Sequence, residues 1–437
     1  MESPRMSVQV ITIIVLAAVF LVATVLPVHM GALAFVAAFM VGAFVLGEGK
    51  DDIVGGFPGD LFVILVGVTY LFAMAKANGT VDWLVQAAVR LVRGRIALIP
   101  WMMFLVTALL TAVGAVVPAA VALTAPVGMG FATRCRINPM LMGLLIINGA
   151  SAGGFSPISI FGSIVNGVVT RNNLPGDPGL LFISTFAFNV ALSALVFLMF
   201  GGRELVRRGK EQPKEPEIPS GGGGGGTAVL APAATEQVTL NKERVLTLTG
   251  LIVLAGGALF FGLDVGFTAI TVAVVLSLVS PKGAKDAVGQ IAWPTVLLIC
   301  GIVTYVSLME RVGTIDFLGG KVAQIGIPLL AGLIICLIGA AVSAFASTTG
   351  ILGALIPLAV PFLLAGEIGA VALVIALSLS SSVVDSSPFS TSGALVVANS
   401  QEGERDYVFR GLMRWGFSMI VLAPLLTWLL FLAPQWS

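Results

Sequence analysis

Apolar residues run along this chain in long blocks separated by short polar clusters, without the alternation of a soluble fold. A membrane-spanning helix needs about 20 apolar residues in succession. Between Arg5 and Glu48 lie 42 uncharged residues, interrupted by Pro27-Val28-His29-Met30-Gly31, which predicts two helices and a tight turn. Leu61–Ala75, Leu180–Gly202, Val245–Leu263, Val265–Ser280, Pro294–Met309 and Trp415–Leu432 each predict a further span. Three blocks do not fit single helices. Ile137–Thr170 holds 34 uncharged residues around Asn148-Gly149-Ala150-Ser151-Ala152-Gly153-Gly154. Val322–Gly366 holds 45, interrupted by Ser343 and Ser347-Thr348-Thr349-Gly350. Ile368–Asn399 carries one charge, Asp385, within a serine-rich stretch from Ser380 to Pro388. Irregular backbone at membrane depth is tolerated only where protein buries it or a cavity solvates it, so these blocks predict broken helices and re-entrant hairpins.

The chain also repeats. At an offset of 234, Asp52, Gly67, Gly79, Thr80 and Asp82 face Asp286, Gly301, Gly313, Thr314 and Asp316. At an offset of 231, Pro126 meets Pro357, Ser156-Pro157 meets Ser387-Pro388, and Gly162 meets Gly393. Paired interrupted segments in two halves are the sequence pointer to a secondary transporter's binding site. The expected fold is therefore an all-α polytopic membrane protein of two inverted repeats. Each has five spans, a re-entrant hairpin and a broken helix. The first repeat covers 1–203, with its hairpin at 98–133 and its broken helix at 137–170. A polar linker with a six-glycine run covers 204–243, and the second repeat covers 244–437, with hairpin 328–366 and broken helix 368–399. Val81–Val92 and Ile315–Ile325 read as amphipathic helices at opposite interfaces.

Composition narrows the class. Charged residues are 10% of the 437, against about 25% in soluble proteins, and hydrophobic residues are 57%. A soluble, disordered, collagenous or disulfide-stapled chain does not have these numbers. The net charge of +1 gives no basic field for nucleic acid. Basic residues decide the orientation: a cytoplasmic linker places 18 Lys and Arg inside and five outside (Arg5, Lys50, Arg171, Arg311, Lys321). Both termini then lie outside, and the N-terminal apolar stretch reads as a span rather than a signal peptide.

Four segments should converge at mid-membrane: the tips Gly114–Ala120 and Ser343–Gly350, and the loops Asn148–Pro157 and Ser380–Ser390. Broken helices offer N–H groups to an anion and carbonyls to a cation, which suits a small anion bound together with cations. Small polar residues also simply permit close helix packing. Asp385 is an intramembrane acid, expensive to insert and suited to a cation, to a proton, or to capping a half-helix. Gly149-Ala150-Ser151-Ala152-Gly153 matches the G-x-S-x-G hydrolase elbow, but the sole histidine, His29, falls at a membrane-edge turn, so an intramembrane serine hydrolase lacks its base. No phosphate-binding G-x-x-x-x-G-K-[ST] loop occurs, and Cys135, Cys300 and Cys336 lack metal-site spacing. Neither a cofactor nor a transition-metal site is expected.

The paired hairpins, the paired loops and the proline eight residues after each tip resemble the divalent anion/sodium symporters of the ion transporter superfamily, and most nearly MatC-type malonate carriers. That family carries Ser-Asn-Thr at both tips. Here the second tip reads Ser347-Thr348-Thr349 before Pro357, and the first reads Val116-Val117-Pro118 before Pro126. The resemblance implies a second-half sodium site at Ser343, Ala346, Ser347 and Thr348 with Ser386, and Asp385 as a further cation ligand. Ser151 would serve a first-half cation. Pro118, Ser156, Pro157, Thr348, Thr349, Ser387 and Pro388 would face the substrate. It also implies a homodimer in the bacterial inner membrane that imports a small dicarboxylate, malonate preferred, by an elevator movement. A cation/proton antiporter or inorganic-oxyanion carrier of the same superfamily is the alternative.

Overall fold

The computed structural model describes residues 7–91, 95–209, 241–280, 286–314, 317, 328–344, 348–349, 351–353, 355–356, 359 and 369–436. The first half runs α1 (Val8–Val25), α2 (Met30–Met40), α3 (Lys50–Gly55), α4 (Gly59–Ala77), α5 (Thr80–Leu91), α6 (Ile99–Ala112), α7 (Val117–Arg134), α8 (Pro139–Gly153), α9 (Ile160–Arg171), α10 (Pro178–Met199) and α11 (Gly202–Arg208). The second half runs α12 (Lys242–Phe261), α13 (Val265–Val279), α14 (Trp293–Arg311), α15 (Pro328–Ser343), α16 (Ala370–Val383), α17 (Thr391–Ala398) and α18 (Arg405–Thr427). Five stretches are long and apolar enough to cross a membrane: 59–77, 178–199, 293–311, 370–398 taken across its break, and 405–432. The protein is an all-α polytopic membrane protein.

The halves grip each other reciprocally. Helix α4 packs along α13, and α14 packs along α2. Both crossings are built on glycine. A Cβ on Gly67 would lie 2.5 Å from the Gly266 carbonyl oxygen, and one on Gly301 would overlap the backbone of Gly31. Removing Cβ lets two backbones meet, which is how helices associate where lipid offers no hydrophobic drive. The polar contacts repeat too. Thr12 Oγ1 on α1 lies 2.8 Å from Thr314 Oγ1, while Asn78 donates to Thr247 Oγ1 on α12 at 2.6 Å and accepts from Thr80. Tyr305, fully buried, donates to the Thr12 carbonyl at 2.8 Å.

Contacts between helix ends tie together turns that are distant in sequence. Arg171 pairs with Asp60, and Arg311 pairs with Glu48 at 3.0 Å. Arg244 donates to the Asn78 carbonyl, Arg208 to the carbonyls of Cys135 and Arg136, and Asn138 to Tyr407.

Several boundaries differ from the sequence reading. The loop expected from Asn148 onward begins only at Gly154, and Asn148 to Gly153, Ser151 included, is helical. Likewise Ser380–Ser382 belong to α16. The small residues serve close packing: Gly149 abuts the backbone of Phe104 and Gly153 that of Ala108, both on α6. Chain read as linker stays helical to Arg208, because Leu205 is buried and Arg208 is tied to the α7–α8 turn. The rest of the linker, most of Ile315–Ile325, and most of the return arm of the second hairpin lie outside the described residues.

The glycine crossings give a first expected outcome. Gly301→Ala should destabilise the protein by about 1–3 kcal/mol through backbone overlap. Gly256→Ala, where a Cβ meets nothing within 4 Å, should not. Thermal unfolding of the purified variants measures the difference.

Candidate functional site

Each broken helix is held open by one serine. In the first half α8 stops at Gly153, and α9 starts behind Ser159 as its N-cap. The Ser159 hydroxyl bridges the carbonyls of Gly154 and Ser156, the latter at 2.6 Å, and accepts from Gly162 N at 3.3 Å. In the second half a single 3-10 turn, Val384–Ser386, follows α16, and Ser390 caps α17. Its hydroxyl bridges the carbonyls of Asp385 and Ser387, the latter at 2.7 Å, and accepts from Gly393 N at 3.1 Å. Every partner is displaced by the same 231 residues. Backbone bonds Ser156 N to Gly153 O and Ser387 N to Val384 O complete the pair. Gly162 and Gly393 press against the Ser156 and Ser387 carbonyls, leaving no room for a Cβ.

These caps aim two helix N-termini, α9 and α17, into the protein interior, where the partial positive charge attracts anions. A third, the start of α7, sits behind the first tip, where Gly114 takes φ +111° and Pro118 occupies the opening turn. Of the residues expected to face substrate, Ser156, Thr348, Thr349, Ser387 and Pro388 are buried, while Pro157 and Pro118 are half-buried. The Ser387 hydroxyl accepts from Phe389 N at 3.3 Å.

The residues expected to hold a cation fall into groups. Ser343, Thr348 and Asp385 come together. Ser343 Oγ donates to the Ser381 carbonyl at 2.7 Å and lies 2.9 Å from Thr348 Oγ1, and the Thr348 side chain lies beside the Asp385 carboxyl. Asp385 is 7% exposed. Ser386 turns its hydroxyl back to the Val383 carbonyl at 2.8 Å. Ser151 stands apart inside α8, its hydroxyl buried with no hydrogen-bond partner among the described residues, and so no base is seen beside it there. Ala346 and Ser347 lie outside the described residues. The Ser381 carbonyl and the caps Ser159 and Ser390 were not singled out from the sequence. The Ser-x-x-Gly spacing shared by the caps, Ser159 to Gly162 and Ser390 to Gly393, was the available signal.

Polar pairs anchor each broken helix to the last span of its half. Asn148 donates to Ser193 Oγ on α10 at 3.2 Å, and Ser380 Oγ lies 2.9 Å from Thr427 Oγ1 on α18. A crevice of about 750 Å³, lined by Arg136, Asn138, Glu204, Arg208, Gln401 and Tyr407, opens at the helix ends and not at the breaks.

Two halves with matched interrupted helices at membrane depth define a secondary transporter. Residues 6–154 match the family described as the dicarboxylate carrier protein MatC N-terminus, and residues 252–436 match the citrate transporter family. The fold is similar to that of the YdaH transporter of Alcanivorax borkumensis, whose crystal structure revealed an unusual topology. The TM-score is 0.60 at 14% identity, over 97% of this chain and 98% of that one. No curated protein matches the chain in sequence. Both matched families are carriers of small carboxylates, and the chain is a secondary transporter of the dicarboxylate or citrate type.

The capping serines carry a direct expectation. Ser390→Ala removes a bridge over two carbonyls and an acceptor for Gly393, and should cost about 0.5–2 kcal/mol in thermal unfolding. Ser390→Thr should retain most of that stability.

Proposed function

We propose that this protein imports a small dicarboxylate, malonate above others, together with a cation, most simply sodium. The observation that carries the reading is the meeting of helix ends and hydroxyls at the second break, Ser343, Thr348, Ser387 and the start of α17, beside a buried acid. Helix N-termini would hold the carboxylates, with Ser156, Pro157, Thr349, Ser387 and Pro388 around them. The cation would sit among Ser343, Thr348 and Asp385, with Ser386 beside them. It would lower the charge of the loaded site before the low-dielectric crossing. The apolar first tip, Val116-Val117-Pro118, favours a short anion over a four-carbon one, because fewer polar groups face its far end. The matches to dicarboxylate and citrate carrier families support the substrate class.

In this reading the protein is a homodimer of the bacterial inner membrane, with its linker cytoplasmic and both termini outside. The hairpins and broken helices move as one body against α1, α2, α12 and α13. Proton coupling is the second reading, and the buried carboxyl of Asp385 is the observation that favours it.

Uptake of labelled malonate into proteoliposomes tests the substrate and the driving ion together. An inward sodium gradient should drive uptake, and other short dicarboxylates should compete. Uptake under a proton gradient alone would replace sodium with protons, and absence of malonate uptake under either gradient would defeat the substrate assignment. Thr349→Ala and Ser387→Ala should each weaken apparent malonate affinity by about tenfold, the loss of one hydrogen bond to a charged group.

A further inference from the structure

The repeat lets the second-half cation site be compared with its own copy, residue by residue. Subtracting 231 maps Ser343, Thr348, Ser381 and Asp385 onto Ala112, Val117, Ala150 and Gly154. The geometry is kept. Val117 at the first tip packs against Gly154 at the first break, as Thr348 at the second tip meets Asp385 at the second. The chemistry is not kept. Two hydroxyl positions and the carboxyl have become alanine, valine and glycine, and nothing in the first half replaces the lost charge.

Backbone oxygens are present at the first break as at the second, but they bring no charge to make up the difference. The Ala150 carbonyl accepts from Gly154 N, and the Gly154 carbonyl accepts from both Gly162 N and the Ser159 hydroxyl. The Leu110 and Thr111 carbonyls at the tip accept from Ala115 N and Gly114 N. A hard cation stripped of water needs several oxygens and, in a low-dielectric interior, a compensating negative charge.

The second half has both. Ser343 Oγ, Thr348 Oγ1, the Ser381 carbonyl and the Asp385 carboxyl form a connected oxygen cluster. Its acid lacks a cationic neighbour on the described parts of the elements around it. No basic residue occurs on α8, α10, α15 or α17, and those of α18 are Arg405, Arg410 and Arg414. Arg405 donates to the Ser400 and Ala398 carbonyls, Arg410 to that of Asp406, and Arg414 is exposed.

We infer that the carrier binds a single coupling cation per chain, confined to the Ser343–Thr348–Ser381–Asp385 cluster, and that the corresponding position of the first half is an apolar plug that binds none. This rests on the cation-coupled reading above and sets its stoichiometry. Equilibrium binding of radioactive sodium to the purified full-length protein, without any carboxylate, reads it directly. One sodium per chain is expected. Thr348→Val, which keeps the side-chain shape, and Asp385→Asn should each weaken binding by roughly tenfold or more, as loss of a ligand to a charged partner does. Val117→Ala at the plug should leave the affinity unchanged. Two sodium ions per chain, no bound sodium, full affinity in Thr348→Val, or weakened binding in Val117→Ala would each overturn the inference. If Asp385→Asn does not fold, the wild-type stoichiometry and the Thr348→Val and Val117→Ala affinities still decide. Malonate uptake fails or succeeds separately: one bound sodium without uptake defeats only the substrate assignment, and uptake with two bound sodium ions defeats only the single-site inference.

Discussion

Backbone groups at membrane depth have no water to bond, and a chain that interrupts two helices there must satisfy them from within. Ser159 and Ser390 do this work. Each hydroxyl faces two carbonyls left by the helix that ends and one N–H left by the helix that begins. Without such a bridge the break would expose several polar groups to a low-dielectric interior, at a cost of order 1–3 kcal/mol each. With it, α9 and α17 can begin in the middle of the protein and turn their positive ends toward a ligand. The proposed substrate site would thus be a consequence of how the break is held, with recognition by backbone groups at the helix ends.

The same economy of side chains governs the packing around the breaks. Gly31, Gly67, Gly266 and Gly301 let α2, α4, α13 and α14 cross with backbones in contact. The two crossings are related by the repeat, so each half supplies one surface to the other. Close backbone contact gives dispersion and a fixed register where apolar burial gives little, since lipid is as apolar as leucine.

Within this near-symmetric frame the chemistry is one-sided. Gene duplication would leave two equal sites, but the second break keeps an acid and two hydroxyls where the first has glycine, valine and alanine. Burial of an acid without a basic partner is expensive in a membrane, and such groups mark ion pathways. The first half retains the helix ends and the capping serine, which suffice for an anion. In the proposed reading the labour is divided, with anion contacts shared by both breaks and the cation held at one.

Much of this was legible from residue order alone. Apolar block lengths pointed to helices, the offsets of 234 and 231 to a repeat, and the stretches Asn148–Pro157 and Ser380–Ser390 to the breaks, because period, length and pairing are properties of the chain. Asp385 stood out because a charge in an apolar run is visible without coordinates. The role of each small polar residue was not legible. Asn148, Ser151 and Ser380 looked like loop and proved to be helix, since glycine and serine serve close packing and helix breaking equally well. Whether Gly149 meets open space or the backbone of Phe104 depends on a neighbour 45 residues away in sequence. The Ser381 carbonyl is a ligand candidate only because Ser343 reaches it from another helix. Sequence determined where the chain must cross, repeat and break; tertiary structure decided which oxygens meet, because hydrogen-bond geometry is set by contacts between segments that local pattern does not encode.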